Sequence, residues 1–284
     1  MSLNNMAREN PDEIWKEMHL KGKDITLLTN ELKLSLKKNG LRLSKLYTIY
    51  EYIAKITNGD TSVRILDFGC GGGRMLTYLR ILGYHHVVGV DIIPKPSMDE
   101  INLLHKKIGF NERAFYSYDG ILLPFNDASF DLIISQQVLE HVHNVEQYFS
   151  ECNRVLSSKG KALFDFPNRL VPFDTHTQMW LVHYFPHTVR SYFYNKYRND
   201  SALVFDRKLN LQPIWFYRKY LKKIFNTTIS LTEDRISKFN YKDSYEGNIK
   251  IRLLVHRLMI IPFLGRILTR TLSMFFNTTL LVSK

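Results

Sequence analysis

Apolar positions change their period along the chain. Up to about residue 58 the pattern is helical: Leu41, Leu46, Ile49, Ile53 and Ile56 recur at a near-helical spacing that predicts one buried stripe. From Val63 onward, short apolar runs alternate with helical patterns. Val63–Phe68 predicts a buried strand, Arg74–Leu82 a helix, and His86–Asp91 a second strand. Ser97, with Glu100 three residues later, forms a capping box that opens another helix. Strands are then expected at Arg113–Asp119 and Phe130–Gln136. Asn144 stands ready to cap a helix whose Val145, Tyr148, Phe149, Cys152 and Val155 share a face, and Lys161–Phe166 predicts a fifth strand. Strand–helix alternation at this spacing predicts an α/β fold, a parallel sheet wrapped by helices. Thr278–Val282 reads as the last strand and Asn226–Thr232 as its partner. The stretch between them, roughly forty residues, is too long for a bare loop and is expected to carry helices of its own.

Composition narrows the class. Of 284 residues, 45% are hydrophobic and 23% charged, which excludes a disordered tail, a collagen-like fibre and a disulfide scaffold. Lys and Arg number 39 against 27 Asp and Glu, and the resulting +12 favours a polyanionic partner or an anionic surface. Cys70 and Cys152 are too few for a disulfide framework and suit a reducing cytoplasm. Residues 1–12 are polar and no run approaches 18 apolar residues, so neither a signal peptide nor a single-helix span is expected. Ten of the 14 glycines fall between Gly59 and Gly160, which marks residues 59–170 as the core. Residues 1–58 are expected to form a helical cap. Residues 171–284 are expected to complete the same domain as an aromatic and basic region on the substrate side, with a helical insert at about 236–276 and the final strand.

The sharpest chemical signal is Asp67-Phe68-Gly69-Cys70-Gly71-Gly72-Gly73-Arg74, an acidic strand end followed by a glycine-rich turn into a helix. Glycines let the chain turn tightly and let a ligand approach the backbone. The dinucleotide pattern Gly-x-Gly-x-x-Gly, counted from Gly69, meets Arg74 at its last position. Asp67 would also repel a pyrophosphate, whereas it would attract an ammonium or a sulfonium. The next strand closes on Asp91, where a carboxylate can accept from both ribose hydroxyls of an adenosine. Asp119-Gly120 follows the third strand, placed to accept from an adenine amino group. Each acid alone is an ordinary turn former. Acids at the carboxyl ends of successive strands, where open parallel sheets bind ligands, are a joint signal.

On these residues, together with the Leu139-Glu140-His141-Val142 segment, the stretch from about Val63 to Asn168 resembles the core of class I S-adenosylmethionine-dependent methyltransferases. The resemblance implies a Rossmann-like, doubly wound sheet, mostly parallel with an antiparallel last strand, preceded by helices. It implies S-adenosyl-L-methionine as cofactor and S-adenosyl-L-homocysteine as product. Asp67, Gly69 and Gly71, with Cys70 between the glycines, would hold the methionine part, and Asp91 the ribose. Ile92 would pack on the adenine, Asp119 with Gly120 would bind its amino group, and Gln136 would lie under the methionine end.

The acceptor is less defined, because one such core serves many substrates. Glu140-His141 is similar to a metal-associated Glu-x-x-Glu-His pattern of quinone-pathway methyltransferases, but Gln137 replaces the first glutamate, so no metal is expected. His176 and His141 are the candidate general bases for a hydroxyl acceptor. Between Gly247 and Lys284 there are six basic residues and no acidic one, interleaved with Leu253, Leu258, Ile261, Phe263, Leu264 and Ile267. That stretch fits either an anionic membrane interface or a helical lid with a basic rim. The expected activity is methyl transfer to a small-molecule or lipid-linked acceptor, in the cytoplasm or peripherally on the membrane. An RNA methyltransferase and a non-catalytic binding protein remain alternatives. Ser135-Gln136-Gln137 in place of an Asn/Asp-Pro-Pro-aromatic motif, and the lack of a separate recognition module, weigh against nucleic acid.

Overall fold

The computed structural model describes residues 9–92, 98–174, 179–197, 209–237, 257 and 264–284. A seven-stranded sheet carries the fold, in the strand order β3 (Phe115–Ser117), β2 (Val87–Asp91), β1 (Ile65–Phe68), β4 (Phe130–Gln136), β5 (Leu156–Phe166), β9 (Thr278–Ser283) and β8 (Thr227–Ser230). It is the mixed, mostly parallel α/β arrangement expected, with antiparallel strands at its end. By their contacts the described residues form two compact units, one running to Ile133 and the other starting at Ile134.

The first unit begins with α1 (Pro11–Met18), α2 (Ile25–Asn39) and α3 (Tyr47–Ile56). Asn10 and Asp24 cap the first two through their side chains, each accepting a backbone N–H of the first turn. The stripe expected on one helix is divided. Gly40, at φ +55°, ends α2, and Leu41 is buried in the turn before α3, which carries Ile49 and Ile53 into the core. Ile14, Trp15, Met18, Leu28, Leu32, Leu36 and Leu41 pack together with Tyr78 and Ile108 of the core that follows. Asp12, 3% exposed, accepts from Ser44 Oγ (2.8 Å), the Lys45 N–H (2.9 Å) and Tyr78 OH (3.1 Å), and lies 3.7 Å from the Arg74 guanidinium. The N-terminal helices are therefore fastened to the start of the helix after the glycine-rich turn.

That core runs β1 (Ile65–Phe68), α4 (Arg74–Ile81), β2 (Val87–Asp91), α5 (Met98–Ile108) and β3 (Phe115–Ser117). β1 pairs parallel with β2 and β2 parallel with β3. The expected capping serine, Ser97, lies outside the described residues. β3 is shorter than expected, because Asp119 leaves the ladder to accept from the N–H groups of Ile121 and Leu122. β4 (Phe130–Gln136) is the strand at which the two units divide.

The second unit holds α6 (Val145–Val155), capped by Asn144 as expected, and β5 (Leu156–Phe166). β5 starts five residues before the expected Lys161: Leu156 is fully buried, and the Gly160 carbonyl accepts from the Lys284 N–H. A small hairpin follows, β6 (Phe173–Asp174) with β7 (Met179–Trp180), then α7 (His187–Tyr197) and α8 (Ile214–Ile224). The chain ends with β8 (Thr227–Ser230), α9 (Thr232–Ser237), α10 (Leu264–Ser273) and β9 (Thr278–Ser283). β9 pairs antiparallel with both β5 and β8, the partnership expected from the sequence. Helix α10 lies within the span 236–276 where the insert is expected and α9 mostly precedes it, whereas Leu253, Leu258, Ile261 and Phe263 lie outside the described residues. Among the described residues no helix is long and apolar enough to cross a membrane.

Candidate cofactor site

The glycine-rich turn between β1 and α4 is held against β2 by its own backbone. The N–H groups of Gly69 and Cys70 both donate to Val90 O, at 2.8 and 3.2 Å. Gly69, Gly71 and Gly73 adopt φ of +83°, +51° and +79°, a region that disfavours side chains. At Gly71 no atom lies within 4 Å of where a Cβ would stand, so the turn has an open face there. Gly73 has the opposite reason for being glycine: a Cβ would meet the Phe115 ring at 2.5 Å. Cys70 is buried, and desolvation followed by the nearby Asp67 and Asp91 pushes its thiol far up, so it stays protonated and unreactive.

Asp91 ends β2 with both carboxylate oxygens fixed. Oδ2 accepts from the Gly71 N–H at 2.8 Å, and Oδ1 accepts from the Ile92 N–H at 2.7 Å. Each oxygen keeps a second lone pair for an incoming donor. Asp67, at the penultimate position of β1, is 3% exposed, and its carboxylate makes no hydrogen bond or ion pair among the described residues. Burial, reinforced by the charge of Asp91, pushes its carboxyl up to about 7. A buried acid beside a second acid is a site that a cation relieves.

A shelf stands beside this pair. Ile92 is 51% exposed, although large aliphatic side chains usually avoid water. Its Cδ1 lies 3.5 Å from where a Cβ of Gly120 would stand, so the loops after β2 and β3 meet there. Asp119 Oδ1 accepts from the Ile121 and Leu122 N–H groups at 2.8 and 2.9 Å, which holds its carboxyl below the usual range. Asp67, Gly69, Cys70, Gly71, Asp91, Ile92, Asp119 and Gly120 thus all belong to the first unit, at or after the carboxyl ends of β1, β2 and β3.

The remaining expected residues lie in the second unit or beyond the described residues. Gln136 is half-buried at the end of β4. His141 is exposed on a short 3-10 turn, Leu139–His141, and its N–H donates to Val138 O at 2.8 Å. That turn is secured by Asn210, whose N–H donates to Glu140 O and whose side chain donates to Val142 O at 2.7 Å. His176 lies outside the described residues. The histidine that the structure does bury beside a carboxylate is His183, with Nε2 3.4 Å from Asp174 Oδ2. Sequence reasoning missed this pair, because Asp174 and His183 meet only through the β6–β7 hairpin. Among the described residues no three His, Cys, Asp or Glu side chains cluster as a metal site would require.

Residues 66–164 match the family model described as "Methyltransferase domain". A ubiquinone biosynthesis O-methyltransferase of Rickettsia bellii is 30% identical over 125 residues, covering 44% of this chain and 50% of the relative. The chain thus spans about half the length of that curated relative. Among solved structures, geranyl diphosphate C-methyltransferase from Streptomyces coelicolor superposes with a TM-score of 0.50 at 13% identity, covering 94% of this chain and 85% of that one. A phosphoethanolamine N-methyltransferase of Haemonchus contortus gives a TM-score of 0.50 at 15% identity, with 95% and 59% covered. At these identities the two structures speak for the fold.

Proposed function

We propose that this chain, which carries a class I S-adenosylmethionine-dependent methyltransferase core, transfers the methyl group of S-adenosyl-L-methionine to a small-molecule or lipid-linked acceptor. The observation that carries the reading is the doubly fixed carboxylate of Asp91 beside the open turn at Gly71. The residues present fit the cofactor. Asp91 accepts the two ribose hydroxyls with its remaining lone pairs, which orients the nucleoside. Ile92 covers one face of the adenine, and Asp119 with Gly120 borders its amino edge. The unpartnered, buried Asp67 faces the cationic methionyl end, and Gly69, Cys70 and Gly71 offer it a backbone wall.

When bound, the cofactor supplies an electrophilic methyl group on sulfur. The protein's task is alignment: holding donor and acceptor in line converts a bimolecular reaction into an effectively unimolecular one. A base is required only for a protonated acceptor such as a hydroxyl, and His176 and His141 are the residues assigned to that role. The test is a thermal-shift comparison of S-adenosylhomocysteine with NAD, followed by transfer of labelled methyl from the cofactor to a lysate fraction. Stabilisation by S-adenosylhomocysteine and not NAD, with a labelled low-molecular-weight or lipid product, supports the reading. Stabilisation by NAD alone, or label confined to RNA, overturns it.

A further inference from the structure

A cleft of about 200 Å3 opens in the second unit, and none of the residues assigned above lines it. Its floor is at the carboxyl ends of β5 and β8. Thr278, paired with Phe166 at the end of β5, and Ser230, the last residue of β8, both line it. Open α/β sheets take their ligands at that edge. Arg218 enters from α8 and Arg270 from α10, two helices without a single acidic residue. Among the described residues neither guanidinium has an ion pair or a side-chain hydrogen bond, although Glu233 lines the same cleft.

We propose that this cleft binds a phosphoryl group. Two cationic side chains lining one cleft draw an anion to it. Planar guanidinium forks match phosphate oxygens two at a time, and a phosphate ester offers three free oxygens where a carboxylate offers two. A phosphate accepts on three sides, which suits donors arriving from α8, α10 and the hydroxyl of Ser230. Glu233 offsets one of the two positive charges and accepts from a hydroxyl or ammonium next to the phosphate. The favoured ligand is therefore a small phosphate ester bearing a hydrogen-bond donor, rather than a polyanion. The phosphoryl site stands independently of the function proposed above.

The test is calorimetric titration of the full chain with inorganic phosphate, phenyl phosphate, dihexanoyl phosphatidate below its micellar concentration, and acetate. Arg218→Gln, Arg270→Gln and Lys222→Gln serve as variants, the last removing an exposed charge of α8 outside the cleft. Saturable binding of a phosphate ester, no binding of acetate, and about tenfold loss in each arginine variant but not in Lys222→Gln support the site. Tighter binding of the phosphatidate assigns a lipid headgroup, and tighter binding of phenyl phosphate a soluble ester. Equal losses in all three variants, or no loss in the arginine variants, overturn the proposal. S-adenosylhomocysteine titrated into the same variants separates the two claims: its failure to bind overturns the methyltransferase reading and leaves the phosphoryl site standing.

Discussion

Cys70 sits directly over Gly89. A Cβ at position 89 would lie 2.8 Å from both the Cβ and the Sγ of Cys70, closer than packed atoms tolerate. The glycine in the middle of β2 is thus what lets the turn after β1 settle onto its neighbouring strand.

Gly89→Ala is accordingly expected to cost about 1–3 kcal/mol by overpacking. Cys70→Gly removes the opposing atoms, so the double variant should recover most of that loss relative to Cys70→Gly alone. Urea unfolding of the four proteins measures the coupling. Strictly additive effects would show that the two positions do not press on each other.

The binding of S-adenosylmethionine should release protons. Free Asp67 titrates near 7 because burial and then Asp91 disfavour its charge, and a cationic ligand favours the ionised form. Affinity should rise as pH rises from 6 through about 7 and then level off. In the free protein the same shift runs the other way. The folded state holds a proton that the unfolded chain has lost above 3.8, so the stability contributed below that pH fades as pH approaches 7. Calorimetry in buffers of different ionisation enthalpy counts the protons. The Asp67→Asn variant should bind more weakly and without that rise, and an unchanged proton count in the variant would remove Asp67 from the account.

His105 should govern part of the acid sensitivity of the fold. Its ring is fully buried with Nε2 2.6 Å from Thr77 Oγ1, and burial, then Arg80, pushes it down to about 3. The unfolded imidazole takes its proton near 6.5, so below that pH the unfolded chain binds more protons and stability falls, by about 1.4 kcal/mol per pH unit. The loss runs from the unfolded value down to the folded one. His105→Gln should flatten the decline between pH 6.5 and 5 by about 2 kcal/mol in urea unfolding. Parallel pH slopes in the two proteins would contradict this.

The succession of strands along the chain and the acids near their ends were legible because each is local. A short apolar run followed by Asp and glycine specifies both the strand and the turn, as at Ile65–Phe68 and Val87–Asp91. What depended on a distant partner was not. Asp119 reads as a strand end, yet it turns back onto its own backbone. Leu41 fits a helical stripe, but it stands in a turn that Asp12 and Ser44 tie together across 32 positions. Nothing near Gly89 announces that Cys70 will cover it.

The buried pair Asp165–Arg235 offers a test of the second unit. Arg235 from α9 donates to the carboxylate of Asp165 on β5, which also accepts from Thr279 Oγ1 at 2.7 Å. Arg235→Met should cost about 3–5 kcal/mol by leaving a buried charge without its cation. Adding Asp165→Asn should recover much of it, as read by thermal unfolding. A double variant no more stable than Arg235→Met would show that the charge is not the cause.

The most direct measurement is calorimetric titration of S-adenosylhomocysteine into the wild-type chain and Asp91→Ala. The carboxylate of Asp91, fixed by Gly71 and Ile92, is assigned both ribose hydroxyls. Losing those bonds should weaken binding by about 1–3 kcal/mol, roughly ten- to hundredfold, with the circular dichroism unchanged. An undiminished affinity in a folded Asp91→Ala protein would contradict the cofactor site at its centre.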